Sequence, residues 1–405
     1  EVPEASVARY RTASNWGEFK RIAAQREFSI SRNLFRTLNA EHSKNFVLRA
    51  PSGENWSVES KPDWVEVTPM SGTGKMDVTV TTAELAQGGA DRSGEIVFLL
   101  DGKDYRSSMT VEQYDYQYGD GDMVTLQEAG TGNGVNIVIM GDCFDAKDIS
   151  EGKYLQAMQD AYGYFFDIEP YLTYKDYFNV YGVFGMSAES GMGTVNTIRE
   201  ARFGSQYTLN EGVSPDFETT FAAACLAPIN DDVSTTLIIM IENSSDYSGL
   251  CYMWGDGSAV AIVPMSTDPA PYDFRGLVHH EAGGHGFGKL ADEYIYYNSF
   301  ATLCMVHGSP TDVEYIKMQH ALGFYMNVSE VGDMHSVPWS HMIYDPQYSN
   351  TVDVYEGAYY HTRGVFRSEP TSCMNNNIPY YNAISREAMV KRIKKYAGEE
   401  YSFEA

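Results

Sequence analysis

His280, Glu281, His285, Asp292 and Glu293 all lie in one short run, Leu277 to Tyr294. Two imidazoles, a carboxylate beside the first and two more carboxylates downstream are the parts of a catalytic metal site. Zn²⁺ accepts neutral imidazole nitrogens and carboxylate oxygens, and a hydrolytic site keeps one position for water. The expected ligands are His280, His285 and a third group, Asp292 or Glu293, with Asp292 favoured. The other carboxylate would then hold a ligand from behind. Glu281 is the expected general base, taking the proton of the attacking water. His279 points to another face and is expected to pack.

The interval from His280 to His285 is five residues, whereas an α-helix brings positions four apart onto one face. The spacing therefore predicts a helix with an extra residue, as in a π-bulge. Gly283 and Gly284 sit inside the interval; each weakens a helix by about 1 kcal/mol and supplies the freedom that a bulge needs.

The run His280 to Tyr294 resembles the zinc signature of the IgA-peptidase family (igalysins), a metzincin-like group. The segment Ser372-Cys373-Met374-Asn375-Asn376, followed by an amphipathic run from Asn382 to Tyr396, is similar to the Met-containing turn and last helix of metzincins. The resemblance covers roughly 120 to 400 and implies a zinc endopeptidase acting on protein or glycoprotein substrates. Gly288 stands where that pattern turns the chain. The pattern's third-ligand position falls on Ala291 here, one residue before Asp292. The resemblance also implies a cleft-edge strand ahead of the zinc helix, matched by position to Ala259–Val263, to which a peptide could add.

The elements that must carry these residues follow from the pattern ahead of them. Short alternating segments, among them 46–48, 56–58, 64–67, 76–80, 95–99 and 109–111, are separated by Gly, Pro, Asp and Ser clusters. They predict an antiparallel β-sandwich over 1–117. Pro62-Asp63-Trp64, Ser71 to Gly74, Arg92-Ser93-Gly94 and Val111-Glu112-Gln113 are similar to BACON modules of secreted bacterial enzymes, a resemblance that implies an immunoglobulin-like sandwich. That resemblance implies carbohydrate or mucin contact, although Trp56 and Trp64 read as core anchors. Trp16 to Glu27 has the look of a short helix with no assignable role.

Asp115 to Asp122 reads as a linker, its acids as a solvated turn rather than a Ca²⁺ loop. The second domain, 118–405, alternates strands (135–140, 177–184, 235–241, 259–263) with helices (152–167, 216–226), which predicts an α/β layer on a mixed sheet. Asp273 is the expected N-cap of the metal-binding helix. From Tyr294 to Tyr360 the chain is rich in aromatics and Met (Tyr296, Tyr297, Phe300, Met305, Trp339), with a helix near 314–322. This stretch reads equally as a wall of the cleft or as a satellite core. Tyr359, Tyr360 and His361 come shortly before the Met374 segment and are candidates for an oxyanion donor, while most of the histidines from His307 to His361 are expected to be structural.

At 405 residues, 43% hydrophobic and 13% aromatic, the chain has material for two or three cores. Its formal net charge of −26 excludes nucleic-acid binding and disfavours anionic lipid. No apolar run approaches the roughly 20 residues that span a bilayer. The five cysteines are far apart and odd in number, so free thiols are expected, with one disulfide involving Cys251 as the alternative. Lys391, Arg392, Lys394 and Lys395 fit the solvated end of a helix, where they complement its dipole. The chain begins at Glu1 without a Met, as expected of a mature or trimmed form, and the resemblances imply a protein secreted or at a bacterial cell surface. Two competing readings are a zinc amidase acting on cell-wall or glycan amides and a non-catalytic adhesin keeping the fold.

Overall fold

The computed structural model describes residues 28–208, 212–296 and 310–403. Trp16 to Glu27, Tyr297, Phe300, Cys304, Met305 and His307 lie outside the described residues. The chain forms two compact units: 1–120 with 143–153 and 186–202, and 121–142 with 154–185 and 203–405.

In the first unit, strands β1 (Ser29–Ile30), β3 (His42–Arg49), β5 (Val65–Thr68) and β7 (Met76–Thr82) make one sheet in the order β1-β3-β7-β5. Strands β2 (Leu34–Thr37), β4 (Asn55–Ser60), β6 (Ser71–Thr73), β8 (Arg92–Leu100) and β9 (Tyr105–Gln113) make a second, ordered β2-β9-β8-β4-β6. All pairs are antiparallel except β2 with β9. Because strand side chains alternate between faces, every second residue is buried over the last five residues of β7, β8 and β9. Phe46, Leu48 and Val80 from one sheet meet Trp56, Phe98 and Val111 from the other in a single core. Trp56 is wholly buried, and the ring of half-buried Trp64 lies under the Arg92 guanidinium at 4.5 Å. Both therefore pack against protein, as expected. Asp115 and Asp120, expected in a solvated turn, are tied down. Asp115 accepts from Asn39 Nδ2 and the Gly88 amide, and Asp120 accepts from Arg202 Nε and the Met186 amide.

The second unit is built on a six-stranded sheet: β10 (Met123–Gln127), β11 (Val135–Asp142), β12 (Phe178–Val183), β13 (Leu237–Glu242), β14 (Leu250–Met253) and β15 (Ala259–Pro264). The spatial order is β10-β12-β11-β13-β15-β14, with the four inner strands parallel and both edges antiparallel. β13 and β15 are buried along their whole length, as parallel strands covered on both faces must be. Ala259–Val263 is therefore not an edge: β14 pairs with it and takes the border position. Alternation is weak in β14, whose four residues are all half-buried, so the edge strand left no clear periodic signal.

The helices fall near their expected places, at Lys153–Phe165, Phe217–Ala224, Asp312–Ala321 and Ala383–Tyr396. Asp216, Thr311 and Asn382 cap three of them through side-chain oxygens. A small sheet of β16 (Val328–Ser329), β17 (Tyr355–Ala358) and β18 (His361–Arg367) completes the unit. The aromatic stretch forms satellite cores: Ala291, Ile316, Phe324, Tyr325 and Tyr359 in one, Trp339, Met342 and Ile384 in another. Arg392 departs from the expected solvated face, since its guanidinium lies over Phe324 and its Nε is buried. The four described cysteines, Cys143, Cys225, Cys251 and Cys373, are free thiols. No helix among the described residues is long and apolar enough to cross a membrane.

Candidate metal centre

Asp273 starts the metal-site helix by accepting the Gly276 amide at 3.0 Å. One α-turn, Phe274–Leu277, leads into a π-helix over Val278–Phe287. The five-residue histidine interval is thus accommodated by ten residues of wider helix rather than by one bulge. Leu277 and Val278 anchor the element in the core. His279 pins its start: Nε2 lies 2.9 Å from the Tyr164 carbonyl and 2.7 Å from Asp167 Oδ1. Tyr171 donates to the Gly283 carbonyl at 2.6 Å, and Tyr381 donates to the His279 carbonyl.

The glycines act by closeness of approach. A Cβ on Gly284 would overlap the Met374 sulfur, and one on Gly283 would overlap the Tyr381 hydroxyl. Gly288 does not supply the turn, because its φ is −66°. The left-handed residue is Lys289, at φ 54°. Gly288 instead lets Met389 and the Gly284 carbonyl come near, at 3.0 and 2.7 Å from where its Cβ would be.

The π-helix brings the expected ligands together. His280 Nε2 lies 3.0 Å from Asp292 Oδ1 and 3.2 Å from His285 Nε2, and His285 Nε2 lies 3.2 Å from Asp292 Oδ1. All three side chains are buried or nearly so. Each ring donates through Nδ1 to a backbone carbonyl, His280 to Cys373 at 3.0 Å and His285 to Leu290 at 2.8 Å. A carbonyl can only accept, so these bonds fix the tautomer and turn both Nε2 lone pairs inward. Two bare nitrogens and a carboxylate oxygen so close together require positive charge between them. A divalent cation that takes nitrogen and oxygen donors fits this set.

Asp292 and Glu293 are separated by geometry. Asp292 faces the histidines, and burial notwithstanding, the two imidazoles hold its carboxyl well below the usual range. Glu293 turns away. It accepts from Asn327 Nδ2 and Asn382 Nδ2 at 2.8 Å each and from Ser372 Oγ at 2.5 Å, and its amide donates to the Met374 carbonyl at 2.7 Å. It thereby ties the Met374 turn to the metal-site run. Glu281 is 7% exposed, and burial pushes its carboxyl up against the opposing pull of His280 and His285. Its Oε1 lies 2.9 Å from where a Cβ on Gly249 would be, so this loop glycine just ahead of β14 leaves it room. That glycine carried no signal in the sequence.

The three oxyanion candidates are engaged elsewhere. Tyr360 Oη donates to Asp292 Oδ2, His361 is a buried partner of Asp312, and Tyr359 packs on Tyr325. The half-exposed phenol beside the site is Tyr247, in the loop between β13 and β14, a residue that sequence reasoning passed over. It accepts from Asn377 Nδ2 at 3.2 Å, next to the Met374 turn. Burial raises its phenol, while the His280 and Glu281 charges act on it in opposite directions. A second acidic pair, Asp142 and Glu242 across β11 and β13, is satisfied by the chain: the Phe203 and Ser205 amides donate to the first and Ser205 Oγ to the second.

Comparisons with known proteins find likeness in two segments of the chain. Residues 124–311 match the family model described as IgA Peptidase M64, a match over somewhat less than half of the chain that supports a peptidase. Residues 54–113 match the BACON model of an N-terminal binding domain. The resemblance to the IgA-peptidase family with a BACON-like N-terminal part is therefore borne out. No match was found among curated proteins. Weak likenesses among solved structures include the VesB protease of Vibrio cholerae, at 11% identity over 22% of this chain and 31% of that one, TM-score 0.17. A Bacteroides ovatus GH5 xyloglucanase in complex with a heptasaccharide follows, at 12% over 52% and 44%, TM-score 0.20. A Porphyromonas gingivalis protein of unknown function matches at 12% over 29% and 59%, TM-score 0.20. This chain spans less than a third of the VesB chain, and likenesses at these scores say nothing about activity.

Proposed function

We propose that the chain is a secreted zinc-dependent endopeptidase, with a BACON-like, immunoglobulin-like binding module over 1–117 and a metzincin-like catalytic domain over 118–405. The observation that carries this reading is the convergence of His280 Nε2, His285 Nε2 and Asp292 Oδ1 one residue away from the buried carboxylate of Glu281.

The donor set would hold Zn²⁺, which polarises a carbonyl and makes water a better nucleophile at neutral pH. The chain's own groups do the rest. Glu281, raised by burial, accepts the proton of the attacking water and passes it to the leaving amine. Tyr247 accepts from Asn377, so its own O–H is left to donate to the oxygen on which charge develops. β14 offers an open edge to an extended peptide, the role expected of Ala259–Val263. Protein or glycoprotein is the substrate class, and the N-terminal module supplies contact with a carbohydrate or mucin surface.

The test compares metal content and cleavage of a mixed protein library for the wild type and Glu281→Ala. Stoichiometric zinc in both with cleavage by the wild type alone supports the reading. Zinc without peptide cleavage transfers it to an amidase of cell-wall or glycan substrates. Absence of zinc from the wild type leaves a binding protein.

A further inference from the structure

The turn between β17 and β18 is unusual. Ala358 pairs with His361, so the loop is two residues long, Tyr359 and Tyr360. Both have left-handed backbones, φ 48° and 69°. Two-residue hairpins of this kind select Asn-Gly or Gly-Gly, because a Cβ is disfavoured at both positions. Bulky residues held in such a conformation mark a place where the surroundings impose it.

The surroundings here are the metal-site run. The Tyr359 amide donates to the Asp292 carbonyl at 3.1 Å, and the Tyr360 amide donates to the Tyr294 carbonyl at 2.9 Å. The Tyr296 amide returns to the Tyr360 carbonyl at 3.3 Å, and the Tyr296 ring stacks on Tyr360 at 5.4 Å with 9° between planes. Behind the turn, buried His361 is locked to Asp312 at the start of the Asp312–Ala321 helix. The turn is therefore anchored on two sides, and it presents Tyr360 Oη to the metal-site run, where it donates to Asp292 Oδ2.

Asp292 thus has divided oxygens. Oδ1 faces both imidazoles, at 3.0 and 3.2 Å, while Oδ2 is taken by the phenol. A carboxylate free at both oxygens can close on a cation with both of them and take the place that a water needs. We propose that Tyr360, presented by this strained turn, is a positioning residue that restricts Asp292 to one metal-facing oxygen and so keeps a coordination position open. The inference rests on the zinc reading above.

The test is Tyr360→Phe, which keeps the ring and its stacking and removes only the hydroxyl. Zinc affinity is read by competition with a chromophoric chelator, and coordination by the visible spectrum of the cobalt-substituted protein. A hydrogen bond to a ligand affects metal affinity about ten- to a hundred-fold. A loss of that size, with a weaker cobalt band typical of a higher coordination number, is the expected result. Site-specific Tyr360→2,3-difluorotyrosine preserves shape and strengthens the donor, so it must alter the cobalt spectrum without altering the melt. Unchanged affinity and unchanged spectra in a wild-type-like fold overturn the positioning role and leave the zinc reading intact. A wild type that takes up neither metal overturns both.

Discussion

Glu281 is the residue on which the proposed chemistry turns. It sits beside a ligand but contributes nothing to the donor set, so Glu281→Gln should separate binding from turnover. The expected outcome is an unchanged zinc content with kcat lowered on the order of 10²–10⁴-fold, the range for a general acid–base group. Tyr247→Phe removes one donor and should lower kcat on the order of 10²-fold with little change in KM, as expected of a bond made only in the transition state. A fall in affinity alone would assign Tyr247 to substrate binding. Gly249 belongs to the same scale. The 2.9 Å between Glu281 Oε1 and a Cβ built there leaves no space for a side chain, which is why a loop glycine far from the signature matters to it.

At the scale of the element, the π-helix is held by what it touches. Gly284 lies where the Met374 sulfur would meet a Cβ, so Gly284→Ala must push the buried Met374 side chain aside. Overpacking of this kind costs about 1–3 kcal/mol, to be read as a lower denaturant midpoint together with weaker zinc binding. Lys289, directly after the helix, is 2% exposed, and burial pushes its amine down to about 7. An unfolded lysine keeps its proton up to about pH 10.4. Between these values the unfolded chain binds more protons, so this group makes stability rise with pH from about 7 to about 10 and contributes a constant penalty below 7. Lys289→Met should flatten that rise and raise stability at pH 7, measured by denaturant titration at pH 6.5 and 9.5. A rise as steep as that of the wild type would show that the amine is not the group responsible.

For the whole molecule, a metal held by residues from the π-helix and the run after it acts as a ligand of the folded state alone. Its removal should lower the unfolding free energy by about 2.7 kcal/mol when free metal exceeds Kd a hundredfold, and the melting temperature falls with it. Differential scanning calorimetry with chelator and with zinc added back checks this. Equal melts in both would mean that the site is built without the ion. The net charge of −26 belongs to this scale as well; it bears on solubility and on which surfaces the protein approaches, and not on the chemistry.

The spacing of His280, Glu281, His285 and Asp292, the helix of unusual width and the strand-helix alternation were all legible because each depends on residues near one another in the chain. β11, β12, β13 and β15 announced themselves as strands between helical stretches, and the cap at Asp273 marked the start of the metal-site helix. The edge strand β14, the Tyr359–Tyr360 turn and the clearance at Gly249 did not. Their residue types obey no local preference, and a left-handed Tyr-Tyr pair contradicts one. Glu293 is the clearest case. Its neighbour Asp292 has the same chemistry, and only the positions of Asn327, Ser372 and Asn382, drawn in from far along the chain, turn it away from the histidines. The sequence determined which donors are available and how they are spaced; long-range packing decided which face of the run each donor occupies, because a buried carboxylate goes where its hydrogen bonds are satisfied.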